Sequence, residues 1–249
     1  MMIDVQALYA WFSQYVHSYY NQDPDIQFHI RQKEEHTLRV VDYCRKLAQY
    51  LQLNGRQRTL AELVGLFHDV GRFKQYTEYQ TFDDRKSVNH AELGLAEISG
   101  LPELTVLSSE EREIFDFAIR NHNAMQIAPV PDTQYEIFAK LIRDADKLDI
   151  YYVLSPFLQP PTPEGYTKLF IEDLLNGKQS SFANIRTPDD SKLVRLNWVY
   201  DVNYCWTLRA IREKSYVEEI LSYLPKNQEI EAAGQRLLAY MDQRISSGK

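Results

Sequence analysis

Only two cysteines, Cys44 and Cys205, occur in 249 residues, far apart and in no CxxC pair. That excludes a disulfide framework and fits two buried thiols in a reducing compartment, read here as the cytoplasm. Long apolar runs are missing too: nothing approaches the roughly 20 residues that a membrane span needs. The opening MMIDVQALYAWFSQYVHSYY is amphipathic, with neither a basic leader nor a small-residue cleavage site, so no membrane partner is expected. An excess of positive charge is lacking as well. The 28 basic and 35 acidic side chains give a net charge of -7, which excludes a general nucleic-acid or anionic-membrane surface, so any anionic substrate must be attracted locally. Sustained strand alternation is absent, and the ten prolines fall mainly in connectors such as APVP and SPFLQPPTPEG.

What is present is helical punctuation. With 44% hydrophobic and 25% charged residues, the chain is long enough to bury a substantial core, and one large domain over residues 1–249 is expected. The stretch EEHTLRVVDYCRKLAQYLQLNG carries Leu38, Val41, Cys44, Leu47 and Leu51 at three- and four-residue steps and stops at Asn54-Gly55. RQRTLAELVGLFHDVG repeats the design, with Leu60, Leu63, Val64 and Phe67 apolar and Gly71 ending it. Ser108 with Glu111, and Thr133 with Glu136, have the spacing of capping boxes. These segments predict an all-α bundle. A stretch rich in Pro, Gly, Ser and Asn, about residues 155–190, reads as a cap or long connection, and helices resume over about 191–247.

Four of the six histidines sit at or beside apolar helical faces. His36 lies one turn before Val40, His68-Asp69 ends the next helix, His90 stands at a helix entry, and His122 follows Ala118 by one turn. Asp146 follows Ile142 by one turn inside a later helix. Buried imidazoles and carboxylates are costly unless something satisfies them, and a shared metal centre satisfies them together. His36, His68, Asp69 and Asp146 suffice for one ion. His90 and His122 suit a second, with Asp69 placed to bridge. His17 and His29 lack this context and read as core or surface residues. Tyr151-Tyr152 and the Tyr200, Tyr204, Trp206 group lie at helical spacing and read as core packing.

The order His36, His68-Asp69, Asp146, with HDVGRF and RDADKLD around it, resembles the signature of the HD-domain superfamily of metal-dependent phosphohydrolases. The intervening His90 and His122 resemble its dinuclear branch. The resemblance covers about residues 32–151 and implies an HD-type helical bundle with a C-terminal helical extension. It implies one or two divalent ions, of Mn, Fe, Mg, Zn, Co or Ni, and attack of metal-activated water on a small-molecule phosphate ester, nucleotides included. Where many relatives carry lysine after the HDxG glycine this chain has Arg72, which can hold phosphate oxygens bidentately.

Asp69 and Arg72 are therefore the expected catalytic pair. Lys74 and Lys86, in the segment GRFKQYTEYQTFDDRKSVNH read as a loop, and Arg143 and Lys147, flanking Asp146, join Arg72 as candidate substrate contacts. One alternative shares the ligand set, a di-iron oxygenase of the HD fold, as in inositol oxygenase; the other, a nucleotide-sensing module without turnover, is disfavoured by the intact set, since a sensor could afford to lose ligands.

Overall fold

The computed structural model describes residues 3–130 and 132–248, and no strand occurs among them: the fold is all-α, as expected. The chain divides into two compact units, Met1–Asp146 and Lys147–Lys249.

The first unit contains α1 (Val5–His17), α2 (Pro24–Tyr50), α3 (Gly55–Phe67), α4 (Gly71–Tyr79), α5 (His90–Glu97) and α6 (Ser109–His122), and α7 (Thr133–Leu154) begins in it. Helix α2 starts ten residues before the stretch singled out in the sequence. Asp23 accepts from the backbone N–H groups of Asp25 and Ile26, and Pro24 occupies the first turn, where its missing N–H costs nothing. The buried stripe of α2 runs through Ile30, His36, Thr37, Val40, Val41, Cys44 and Leu47, whereas Leu38, expected on that face, is exposed. Helix α3 packs along α2 more extensively than any other pair. Gly65 permits this, since a Cβ there would stand 2.9 Å from Cys44 Sγ and 3.2 Å from Val41 Cα. The capping box of Ser108 and Glu111 at the start of α6 is present.

The segment after Gly71 is not all loop. Residues 71–79 form α4, which buries Phe73, Gln75 and Tyr76 on one face, a spacing that a helix satisfies and an exposed loop would waste. Gly71 opens this helix instead of ending α3, and its φ is not in the left-handed region. Its role is close approach: a Cβ there would collide with the carbonyl oxygen of His90 and stand 2.6 Å from the backbone nitrogen of Gly94. Only glycine lets α4 meet α5 this tightly.

The second unit contains α8 (Lys168–Asn176), α9 (Pro188–Asn197), α10 (Cys205–Glu213), α11 (Tyr216–Ser222) and α12 (Gln228–Ser247). Helix α12 lies against α8, α10 and α11, and buries Ile230, Ala233, Leu237 and Met241. The segment before α9 is tied down by one side chain: Asp190 accepts from the backbone N–H groups of Thr167, Arg186 and Thr187. The stretch from Lys192 to Leu224 breaks into three α-helices and a 3-10 turn at Trp198–Asp201, with Ser215 in the left-handed conformation between α10 and α11.

Candidate metal centre

Every ligand candidate sits at an element boundary or on a buried helical stripe. His36 lies mid-way along α2. Helix α3 ends at Phe67, and His68, Asp69 and Val70 form the turn that leads into α4. Adjacent side chains on such a turn leave the backbone in different directions, which lets His68 and Asp69 converge on one region from two sides. His90 is the first residue of α5, behind the capping side chain of Asn89. His122 is the last residue of α6, and Asp146 lies inside α7.

These six residues come together around Asp69. Its Oδ2 lies 3.4 Å from His36 Nε2 and 3.6 Å from His68 Nε2, and its Oδ1 lies 3.2 Å from His90 Nε2 and 3.6 Å from His122 Nε2. Asp146 Oδ1 lies 3.1 Å from His36 Nε2 and 3.7 Å from His68 Nε2. The cluster thus has two halves that share one carboxylate: His36, His68 and Asp69 on one side, Asp69, His90 and His122 on the other, with Asp146 beside the first. Apart from half-buried Asp146, all are buried.

Three of the imidazoles have their tautomers set by what their far nitrogen meets. His68 Nδ1 is 2.8 Å from the carbonyl of Gly65, and His122 Nδ1 is 2.6 Å from the carbonyl of Ile119. A carbonyl can only accept, so each Nδ1 carries a proton, and in the neutral ring that metal ligation requires each Nε2 presents a lone pair to the cluster. His90 Nδ1 faces the Asp84 carboxylate at 2.8 Å, with the same consequence. His68 Nε2 is buried and makes no hydrogen bond. Unprotonated nitrogens held by outer partners and aimed inward form a donor set that fits a divalent ion.

The charges agree. Burial pushes His122 down to about 4, ahead of the effects of nearby Asp69, His90 and His68, so it is neutral at ordinary pH, as a ligating imidazole must be. Burial raises Asp69, but the Lys33 ammonium beside it opposes this and the carboxyl is held well below its usual range. Burial raises Asp146 too, yet His36, with Nε2 3.1 Å away, opposes it and the carboxyl is held well below its usual range. Both acids are ionised.

Of the cations read from the sequence, Arg72 reaches the cluster, with Nε 3.4 Å from Asp69 Oδ1. Lys74 pairs with Glu97 at 2.7 Å, and Lys86 is exposed on the turn before α5. The buried Arg143 donates to the carbonyls of Asn121, Ala124 and Met125, buckling the chain that leaves His122. Lys147 pairs with Asp201 at 2.5 Å within the second unit.

Two residues at the cluster escaped the sequence reading. Lys33 places Nζ 2.6 Å from Asp69 Oδ2. Its signal was available, one turn before His36 on the same helix. Asp84 had none, since DDRK reads as a charge-balanced turn.

The HD-domain family model matches residues 34–151, just under half of the chain and including all six clustered residues. Over that span the chain is similar to HD domains, a superfamily of metal-dependent phosphohydrolases in general. Comparison with curated proteins and with solved structures yields no match. Among the described residues, no helix is long and apolar enough to cross a membrane.

Proposed function

We propose that this chain is a metal-dependent hydrolase of small-molecule phosphate esters, with nucleotides as the first class to test. The observation that carries the reading is a pair of nitrogens. His90 Nε2 and His122 Nε2 face each other at 2.9 Å, and the Nδ1 of each is already bound to an acceptor. In neutral rings these are two lone pairs aimed at one another in a buried space, which repel, and a cation beside them removes the repulsion.

His36, His68, Asp69 and Asp146 would hold one ion, and Asp69, His90 and His122 a second. A bound divalent ion supplies Lewis acidity, lowering the pKa of the water it binds and drawing charge from phosphoryl oxygens. The chain's own residues supply the rest. Asp69 stays ionised and offers one oxygen to each half of the cluster. Arg72 and Lys33, at opposite oxygens of Asp69, present positive charge where a phosphate approaching the carboxylate would otherwise be repelled. The planar guanidinium of Arg72 suits two phosphoryl oxygens at once, and the Lys33 ammonium a third.

The test is metal analysis of protein purified without added metal, followed by a panel of phosphomonoesters and phosphodiesters assayed with each candidate ion. Magnesium, zinc or manganese is expected to support phosphate release with no oxygen consumed. Strict dependence on iron and dioxygen, with no phosphate released from any ester, overturns the reading in favour of an oxygenase. Nucleotide binding without turnover under any ion favours a sensor.

A further inference from the structure

Asp84 lies on the turn between α4 and α5, and every side-chain contact it makes is with a nitrogen. Oδ1 accepts from Arg72 Nη1 at 2.9 Å and from Gln75 Nε2 at 2.8 Å, and Oδ2 accepts from Asn123 Nδ2 at 3.0 Å. His90 Nδ1 lies 2.9 Å from Oδ1 and 2.8 Å from Oδ2. The orientation of Gln75 is fixed independently. Its NH2 also meets Ser87 Oγ and the backbone carbonyl of Val88, and because the carbonyl can only accept, the NH2 end must face that way, while the amide oxygen accepts from Arg72. Arg72 can only donate. A group that only accepts is therefore what this position demands, and an ionised carboxylate is the side chain that meets it.

We propose that Asp84 is a positioning residue for both functions of the centre. It keeps the His90 proton on Nδ1, so that Nε2 faces the cluster as a lone pair, and it holds Arg72 beside Asp69. The role rests on the hydrolase reading only in what Arg72 is for; the effect on His90 concerns metal binding alone. Carboxylates behind ligating imidazoles raise ligand basicity and orient the ring, and their loss typically weakens metal binding about 10–100-fold.

Asp84→Asn is the informative change. The amide keeps the shape of the carboxylate but brings two N–H groups into a shell of donors. Where it donates to His90 Nδ1, the imidazole proton moves to Nε2, where it faces His122 and cannot bind a metal. Asp84→Ala removes the acceptor without adding a donor and serves as the second variant if the first does not fold.

The experiment is calorimetric titration of manganese into chelator-treated wild type and both variants, with nitrogen-15 NMR of the imidazoles to read the His90 tautomer. Wild type is expected to take up two ions. The variants should retain the first ion, which also reports an intact fold, and bind the second about 10–100-fold more weakly. Affinity for inorganic phosphate should fall with it, because Arg72 loses the same partner. The Asp84→Asn spectrum should show the proton on Nε2. Second-ion affinity within twofold of wild type, an Nδ1 proton retained in Asp84→Asn, or uptake of a single ion by wild type overturns the proposal. A protein that hydrolyses no phosphate ester yet loses its second ion in the variants keeps the positioning role while the hydrolase reading fails.

Discussion

Lys33 Nζ lies 2.6 Å from one oxygen of Asp69, and Arg72 Nε lies 3.4 Å from the other. The two cations come from different helices and share a support, since each stands over the ring of Phe82, at 5.4 and 5.8 Å from its centroid. One buried carboxylate is thus bracketed by two positive groups that the fold brings together from 39 positions apart in sequence.

From this bracket, Lys33→Met should lower kcat/KM for a phosphate ester by about 10²-fold, the usual cost of removing one preorganised charge-stabilising donor. The methionine keeps the aliphatic packing, and the metal content should stay at the wild-type level because Lys33 is not a ligand. Unchanged kcat/KM with full metal would remove Lys33 from the catalytic set.

Asp69→Ala should empty both halves of the cluster, since each takes one of its oxygens. His90→Ala or His122→Ala should instead lower the metal-to-protein ratio from about two toward about one. Elemental analysis decides between these patterns. Full occupancy in Asp69→Ala would show that the carboxylate does not serve either ion.

Gly71→Ala should destabilise the protein by about 3 kcal/mol or more, at the upper end for overpacking, because the added methyl meets the backbone of His90 and Gly94 and neither can rotate away. Gly100→Ala is the control. No atom lies within 4 Å of a Cβ there, so its effect should stay within about 0.5 kcal/mol. Urea unfolding of the two variants measures the difference, and equal midpoints would refute the close-approach role of Gly71.

Glu111 supplies a pH dependence. Its carboxylate accepts from Arg56 Nε at 2.6 Å and Nη2 at 2.8 Å, and from the Ser108 backbone N–H at 2.8 Å. The hydrogen bond from Arg56, against the opposing effect of partial burial and aided by Ser108, lowers its pKa from 4.5 to about 2. Folding therefore favours the ionised form. The contribution is fully present above about pH 4.5 and fades as pH falls toward 2. Glu111→Gln should cost about 1 kcal/mol at neutral pH, as lost caps and partly exposed ion pairs do, and the cost should shrink on acidification through that window. Denaturant midpoints for both proteins between pH 2 and 7 provide the measurement, and a pH-independent gap would contradict the assignment.

The all-α class and the ligand candidates were legible in the order of residues alone. Helical periodicity and caps such as Ser108 with Glu111 are local, and the burial of imidazoles on apolar faces can be read one turn at a time. The same order also marked Arg72, because that residue follows the His-Asp pair so closely. What it could not decide is which charges meet. Arg143 and Lys147 flank Asp146 in sequence, yet the first buckles backbone carbonyls after His122 and the second pairs with Asp201. Lys33 and Asp84, unremarkable in the chain, stand against Asp69, Arg72 and His90. Gly71, legible as a helix stop, is instead where α4 and α5 touch. Propensity and pattern act over a few neighbouring residues, whereas the partner of a charge and the clearance around a glycine are set by elements that approach from elsewhere in the chain and meet only once it has folded.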